Sequence, residues 1–305
     1  MEIKFLNKKE LIELASNFCE LYRNCFNDYI DEEIVIRRYV DNPYDELYMC
    51  VAIDNGKIVS NYAVSPSMIE YDGRKFKSAL SLNTMTHPDY MGQGIFVKLA
   101  SLLYAKLKED GYKIVYGCPN FISNRTLCNR LNWVDIYEYP TMELVIDKDI
   151  PFDTSAISIV EAYKLSLEKD CKIKVSKDPA YMKWRYTNHP SNKYFCIQTS
   201  DMGWAIYKVY QNMINIVELH AVNKDDQRNI VGYILAEAKK MNIEKLTVWS
   251  RINSEEHFIF EKLGFRNRYP ITYFGALDLG LSDEIGCDIW DYRNWSVNMG
   301  DDNVY

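Results

Sequence analysis

The sequence predicts an α/β (α+β) protein built from two similar lobes. A chain of 305 residues is long enough for two domains of ordinary size. Strand patterns separated by turn residues dominate residues 47–86. The order helix, strand, helix, strand then occurs at 95–145 and again at 230–275, which favours an internal duplication. The alternative is that helices and strands simply alternate, as they do in many α/β proteins.

Apolar periodicity defines the elements of the first lobe. Side chains at helical spacing predict one amphipathic helix over 8–26 and a shorter helix over 31–40. The turn signals Asp54-Asn55-Gly56 and Asp72-Gly73 separate three strands. These strands and the elements after them are predicted at 47–54, 57–70, 75–86, 95–109 (helix), 113–116, 120–131 (helix) and 133–145.

A polar stretch over 147–158 predicts a linker between the lobes. We therefore expect a first domain over 1–146, a second lobe over 159–277 and a C-terminal tail over 278–305. The elements predicted in the second lobe are helices at 178–187, 230–240 and 253–262, several strands within 193–221, and a strand at 245–249.

The composition is that of a folded, acidic protein. Hydrophobic residues make up 48% and charged residues 26% of the chain, which are ordinary globular proportions. The formal net charge of −7 argues against a general nucleic-acid binder, because an acidic surface repels phosphate backbones. The charge suits plain solubility and also the attraction of a cationic, amine-bearing substrate, and both interpretations stay open.

The eight cysteines show no metal-binding pattern. They are scattered, without a CxxC pair or a histidine at zinc spacing, so we expect no metal site. Such usage is typical of a reducing cytoplasm. The N-terminal residues lack an apolar signal-peptide core, and no apolar run approaches the ~20 residues that span a bilayer. We therefore expect a cytoplasmic protein with no membrane partner.

A short loop with two glycines, Met91-Gly92-Gln93-Gly94, joins a strand directly to a long helix that begins Ile95-Phe96. The first turn of a helix has amides without intrahelical partners and partial positive charge, and glycine lets the backbone approach an anion closely. The loop therefore predicts a phosphate site of main-chain donors. The Lys and Ser/Thr of a Walker loop are absent, and Val97 replaces the third glycine of a dinucleotide fingerprint. The alternative is a tight turn without a ligand.

The segment from Thr84 to Phe96 resembles the acyl-CoA-binding segment of the GCN5-related N-acetyltransferases (GNAT). Their signature is Arg/Gln-x-x-Gly-x-Gly/Ala. Met91 stands in the Arg/Gln place, Gly94 in the first glycine place and Phe96 in the last place. Met91 still has a main-chain amide but no polar side chain, and Phe96 crowds the start of the helix.

Further segments resemble a tandem-GNAT subgroup that includes enhanced-intracellular-survival-type enzymes and acetyltransferases of polysaccharide gene clusters. The resemblance is specific over 84–133 and looser elsewhere. The segments are Tyr116-Gly117-Cys118-Pro119-Asn120, Leu131-Asn132-Trp133, Asp178 to Tyr186, His189-Pro190 and Trp295 to Tyr305.

The resemblance implies two GNAT-like lobes, each a mixed, mostly antiparallel twisted sheet flanked by helices. It implies that the first sheet splays open between the strand ending near Thr86 and the strand ending near Cys118, with acetyl-CoA in the gap. Main-chain groups of Met85 and Thr86 would pair with the pantetheine arm. The other implied cofactor-binding residues are Met91, Gly92, Gln93, Gly94, Ile95, Phe96 and Asn120.

The second lobe resembles a degenerate copy of the first. Phe260 to Phe265 matches the end of the late helix of the family, and the loop before its long helix is 223–229. That loop has no glycine, and the adjacent carboxylates Asp225 and Asp226 would repel a pyrophosphate. We expect this lobe to have lost acyl-CoA binding and to form one wall of the substrate site.

The candidate acid and base of acetyl transfer come from the same resemblance. In many family members a Tyr that acts as the general acid stands where this chain has Cys128. The Cys128 thiol is therefore a candidate proton donor, and the alternative is a side chain that only packs. His87, at the end of a strand, is a candidate base or a plain loop residue. In the survival-type relatives the C-terminal carboxylate is the base, so Tyr305 is the third candidate, against a tail that only packs.

These observations predict an acetyl-CoA-dependent N-acetyltransferase that acts on the primary amine of a small molecule, with an amino sugar or nucleotide-linked amino sugar as the favoured acceptor. The alternatives are a non-catalytic acyl-CoA-binding or sensor protein, an aminoglycoside N-acetyltransferase and a protein or peptide N-acetyltransferase. The expected partners are therefore a small amine and no nucleic acid, and a homodimer stays open.

Overall fold

The structure is a computed structural model that describes residues 1–44, 46–147, 149–165, 172–302 and 305. Its helices are α1 Lys8–Glu13, α2 Ala15–Phe26, α3 Glu32–Tyr39, α4 Ile95–Glu109, α5 Phe121–Arg130, α6 Pro179–Tyr186, α7 Lys224–Lys240 and α8 Glu255–Leu263. Its strands are β1 Glu2–Phe5, β2 Tyr48–Asp54, β3 Lys57–Tyr71, β4 Arg74–Thr86, β5 Ile114–Gly117, β6 Val134–Val145, β7 Ile157–Ile159, β8 Lys174–Val175, β9 Tyr194–Thr199, β10 Trp204–Tyr210, β11 Met213–His220, β12 Lys245–Trp249 and β13 Arg266–Asp278. Cys171 and, in the predicted tail, Asn303 and Val304 lie outside the described residues.

The chain divides into two compact units. Of the described residues, unit 1 contains 1–44, 46–137, 172–176 and 273–296. Unit 2 contains 138–147, 149–165, 177–272, 297–302 and 305.

These units differ from the predicted domains at three places. The first division falls inside β6, before the predicted boundary at 146. Part of the predicted linker 147–158 is folded, because β7 pairs with β9. Residues 273–296, divided in the prediction between the second lobe and the tail, belong to unit 1 because the end of β13 pairs with β5 from Gly275↔Gly117 to Asp278↔Ile114.

The sheet of unit 1 has the strand order β1-β2-β3-β4-β5-β13, with the short β8 paired to β3. Its neighbours are antiparallel except β4 and β5, which run parallel. The β2–β3 hairpin turns at Asn55 and Gly56, whose φ values of 48° and 77° are those that such turns require. The predicted strands at 47–54, 57–70 and 75–86 are confirmed to within one residue.

Two apolar clusters pack unit 1. One contains Phe18 and Leu21 of α2, and the other contains Leu99, Leu103 and Leu107 of α4. The single helix predicted over 8–26 is wrong, because the backbone of Leu14 ends α1 and starts α2. The four-residue strand β1 was too short for a recognisable period in the sequence.

Unit 2 repeats the element order of unit 1. Its strand order is β6-β12-β11-β10-β9-β7, with β11 and β12 parallel, and α7 supplies the buried Ile230, Ile234 and Leu235 to its own apolar cluster. β11, α7, β12 and α8 correspond to β4, α4, β5 and α5. The topology therefore confirms the predicted two lobes of mixed, mostly antiparallel sheet. No described helix is long and apolar enough to cross a membrane.

Candidate functional site

The sheet of unit 1 opens between β4 and β5. Their parallel register runs from Ser78↔Ile114 to Leu80↔Tyr116 and then stops, while β4 continues to Thr86 paired with β3. A side-chain Cβ at Gly117, the last residue of β5, would lie 3.1 Å from the main-chain oxygen of Ser81, so the strands are still close at this level. Beyond it, β4 presents a strand edge that an extended ligand can pair with.

A β-bulge bends β4 at this opening. The β3–β4 register shifts between Asn61 and Ala63, and Asn83 has a left-handed backbone with φ 49°. The Asn61 side chain donates to the main-chain oxygen of Asn83 at 2.9 Å, and the Asn83 side chain donates to the Tyr39 hydroxyl at 3.1 Å. Bulges re-aim a strand next to functional sites. Two asparagine side chains thus fix the point where β4 leaves β5.

The predicted pantetheine-pairing residues Met85 and Thr86 lie at the end of this edge. The Ser60 hydroxyl donates to the main-chain oxygen of Met85 at 2.9 Å and lies 2.9 Å from the Thr86 hydroxyl. Burial raises the pKa of the Cys25 thiol, and a hydrogen bond from the Thr86 backbone opposes that rise. These contacts hold the end of β4 in place.

The predicted phosphate site, formed by the loop 91–94 and the first turn of α4 and here called the cradle, is an open helix terminus. Gly92 and Gly94 have φ values of 75° and 73°, and a Cβ at either position would meet nothing within 4 Å, so the space above them is free. Gly94 is the N-cap of α4 and provides no side-chain cap. Ile95 is buried, and the Phe96 ring packs 5.6 Å from that of Tyr62. The apolar side chains therefore turn inward and leave the first-turn amides for an anion.

The other three predicted cofactor residues are Met91, Gln93 and Asn120. The Met91 side chain is 59% exposed, so it leaves the approach to the glycines unobstructed. Gln93 is also exposed. Asn120 is the N-cap of α5, just beyond the end of β5, and its Oδ1 accepts from the Ser123 amide at 2.9 Å. The sequence thus placed all three at helix starts or in the loop, where the structure has them.

The corresponding helix terminus of unit 2 is closed by its own side chains. Asn223 caps α7 by accepting from the amides of Asp225 and Asp226 at 2.9 Å each. The Asp226 carboxylate turns back to accept from the Val222 amide, also at 2.9 Å. Two of the first-turn donors that an anion would need are therefore already used, and the loss of acyl-CoA binding by this lobe stays a prediction.

Cys128 lies on α5, and its thiol points to Asn124 Oδ1 at 3.6 Å and Asp135 Oδ1 at 3.5 Å. Burial, reinforced by the Asp135 charge, raises the pKa of this thiol to about 11. A free thiol has a pKa near 8.5, so the Cys128 thiol is a weaker acid than the thiol of CoA. Proton transfer from Cys128 to a CoA thiolate is therefore unfavourable. The geometry favours the packing interpretation of Cys128 over the proton donor.

His87 has a local structural role. Its main-chain amide donates to Val59, and its Nδ1 accepts from the Asp89 amide at 3.3 Å, which caps the 3-10 turn Pro88–Tyr90. Its ring packs edge-on against Tyr90 at 6.0 Å. His87 remains an untested candidate base whose Nδ1 is occupied.

Tyr305 lies in unit 2. Its main-chain oxygen accepts from the Arg185 guanidinium, and its ring packs edge-on against Trp249 at 5.1 Å. These contacts fix the residue within unit 2. The role of Tyr305 as a base remains a prediction.

A buried chain of hydroxyls behind the opening escaped the sequence analysis. The Tyr62 hydroxyl lies 3.0 Å from that of Ser81 and 2.7 Å from that of Tyr104, and Trp133 Nε1 donates to Tyr104 at 2.9 Å. Burial raises the pKa of Tyr62 to about 12, so these groups stay neutral and lock β3, β4 and α4 together. Aromatic residues scattered over the sequence gave no signal of this network. The described residues contain no group of side chains that could hold a metal ion.

Residues 2–134 match the family model of the acetyltransferase (GNAT) domain. A search of curated proteins found no match. Solved structures share the fold along most of the chain. A GCN5-related N-acetyltransferase from Anabaena variabilis superposes with a TM-score of 0.68 at 12% identity, covering 92% of this chain and 74% of that one.

Two further structures agree. A GCN5-related N-acetyltransferase from Kribbella flavida has a TM-score of 0.67 at 12% identity, over 92% of this chain and 73% of its own. Eis1 from Mycobacterium abscessus has a TM-score of 0.61 at 14% identity, over 93% of this chain and 75% of its own. At these identities the likeness concerns the fold.

Proposed function

Because residues 2–134 form a GNAT acetyltransferase domain, we propose that the protein transfers an acetyl group from acetyl-CoA to a primary amine of a small molecule. The observation that carries this proposal is the position of the open α4 terminus next to the free edge of β4. The first offers main-chain donors for a pyrophosphate, and the second offers a strand edge for an extended pantetheine arm.

Acetyl-CoA supplies the activated acyl group as a thioester. On binding, the amides at the start of α4 would hold its pyrophosphate, and the β4 edge from 82 to 86 would hold its arm. Main-chain amides of β4 near the bulge at Asn83 would face the reacting thioester, and one of them would stabilise the developing oxyanion. The acceptor must arrive with a neutral amine, since a free amine of pKa near 10 is mostly protonated at neutral pH.

We propose an amino sugar or a nucleotide-linked amino sugar as the acceptor. The resemblance to polysaccharide-cluster enzymes favours a sugar, and the net charge of −7 favours a cationic group on it. The sequence has 24 Tyr and 6 Trp, which supply rings for stacking on sugars.

The test is thiol release from acetyl-CoA in the presence of amino sugars, nucleotide-linked amino sugars, aminoglycosides and polyamines. We expect release with an amino sugar at least tenfold above the rate without acceptor. Release with aminoglycosides alone would move the assignment to that class. Absence of release with every amine would contradict transfer to a small amine.

A non-catalytic acyl-CoA-binding protein is the second candidate. It is favoured by the properties of two candidate catalytic residues. The pKa of the Cys128 thiol is raised, and Nδ1 of the His87 ring already accepts a hydrogen bond from the Asp89 amide. It predicts saturable binding of acetyl-CoA together with no thiol release over the whole amine panel.

A further inference from the structure

Unit 2 contains an opening between parallel strands like that of unit 1. The register of β11 and β12 runs from Met213↔Lys245 to Asn215↔Thr247 and stops there. β11 then continues to His220, and β12 continues to Trp249. Edges of both strands are therefore left unpaired on the sides that face each other.

Residues Val297–Asp302, here called the docked segment, pack against the part of β11 that contains Glu218, beyond the end of its pairing with β12. The 3-10 turn Met299–Asp301 within it packs against β11, and its residues are buried. Farther along, the Tyr305 ring packs against Trp249 at the end of β12. The chain thus contacts both strands beyond the point where their pairing ends.

A buried cluster of charges anchors the docked segment. Lys177 Nζ lies 2.5 Å from Glu218 Oε2 of β11 and 2.9 Å from Asp301 Oδ1, and all three side chains are at most 8% exposed. Burial alone would lower the pKa of Lys177, but the charges of Asp301 and Glu218 raise it above its ordinary value. A buried ion pair that loses one partner leaves an uncompensated charge, so this contact strongly opposes release of the segment.

Gly300 occupies a position that has no room for a side chain. A Cβ on Gly300 would overlap both the Tyr186 hydroxyl and the Glu218 carboxylate. The Tyr186 hydroxyl itself donates to Glu218 Oε1 at 2.5 Å. The close approach of the segment to β11 therefore depends on glycine at this position.

We propose that the opening of unit 2 is a peptide-binding site and that its ligand is the docked segment of the same chain. The segment is recognised by a glycine that fits beneath Tyr186 and by an aspartate that pairs with Lys177. It takes the place that an acyl-CoA would take in unit 1, and the closed terminus of α7 agrees with this use. The proposal does not rest on the transferase activity.

Hydrogen–deuterium exchange of the full chain tests the proposal. We compare the wild type with Gly300→Val, and with Gly286→Val as the matched control, because a Cβ on Gly286 would meet nothing within 4 Å. Peptides that cover 297–302 should exchange at least tenfold faster in Gly300→Val and within twofold of the wild type in the control. Unchanged protection in Gly300→Val would overturn the proposal.

A milder variant covers the case in which Gly300→Val does not fold. Gly300→Ala adds one methyl group that meets both the Tyr186 hydroxyl and the Glu218 carboxylate. We expect peptides that cover 297–302 to exchange several-fold faster in Gly300→Ala and within twofold of the wild type in the matched control Gly286→Ala. Unchanged protection in Gly300→Ala would contradict a segment seated beneath Tyr186. Exchange is measured without acetyl-CoA, so an inactive protein would still give this result.

Discussion

Single residues with unusual backbones shape the candidate site. Asn83 takes a left-handed conformation near the C-terminal end of β4, and the side chains of Asn61 and Tyr39 hold it there. Asn tolerates this conformation better than most residues, so the bulge follows from the residue type. The consequence is a strand that leaves its parallel neighbour where the ligand is expected.

Cys128 should be dispensable for acetyl transfer. Its thiol is hydrogen-bonded within α5 and to Asp135, and its pKa is raised to about 11, so it is a weak acid at neutral pH. Cys128→Ala should keep kcat within about threefold of the wild type in the thiol-release assay. A loss of 100-fold or more, the range of a missing general acid, would restore Cys128 as the proton donor.

Lys208 should make stability depend on pH in the alkaline range. The residue is 3% exposed, and burial, together with the Arg185 charge, lowers its pKa to about 8. Between pH 8 and the unfolded value near 10.4 the unfolded chain binds more protons, so the free energy of unfolding rises with pH.

Urea unfolding of the wild type and Lys208→Met at pH 7.5, 8.5 and 9.5 measures this contribution. The difference between wild type and variant should shift in favour of the wild type by at most about 1.4 kcal/mol per pH unit above pH 8. A difference that is independent of pH, or that shifts the other way, would show that Lys208 keeps an ordinary pKa.

At the scale of elements, a strand leads into a long helix in both units, but the N-termini of the two helices are capped differently. α4 begins at Gly94 without a side-chain cap, whereas α7 begins at Asn223, which occupies two first-turn amides. We therefore propose that this helix terminus binds an anion in unit 1 and only packs in unit 2.

Gly94→Val should weaken acetyl-CoA binding. Valine at φ 73° is strained, and its side chain would occupy the free space above the amides. We expect KM for acetyl-CoA to rise roughly tenfold or more, which corresponds to about 1.4 kcal/mol or more. The matched control is Asn223→Gly, which opens the terminus of α7 and should leave KM unchanged. Equal effects of the two variants would contradict the assignment of the cradle to α4.

The sequence predicted the helices and strands whose apolar residues recur with a regular period. It did not predict helix bounds and side-chain networks that depend on tertiary contacts. The strand at 245–249 and the helix at 95–109 match the structure. α7 begins six residues before the predicted 230, because the Asn223 cap starts a helix in a polar stretch without apolar period. Motif residues led to the predicted phosphate site at the start of α4, which stays a prediction. The Ser81–Tyr62–Tyr104–Trp133 network depends on packing between elements that are distant in sequence, which no local pattern encodes.

At the scale of the molecule, two units of the same topology have diverged in what their openings hold. Unit 1 has an open helix terminus beside a free strand edge, while unit 2 has a capped terminus and residues 297–302 packed against β11. Length alone suggested two ordinary domains, and we propose that only one of them binds acetyl-CoA. Asp225 and Asp226 add acidic groups to unit 2 at the position that corresponds to the glycine loop of unit 1.

Titration of the full chain with acetyl-CoA by isothermal calorimetry tests this division most directly. We predict one site per chain in the wild type and loss of most of the binding heat in Gly94→Val under the same conditions. Two sites per chain, or one site that survives Gly94→Val unchanged, would contradict a single acyl-CoA site at the start of α4.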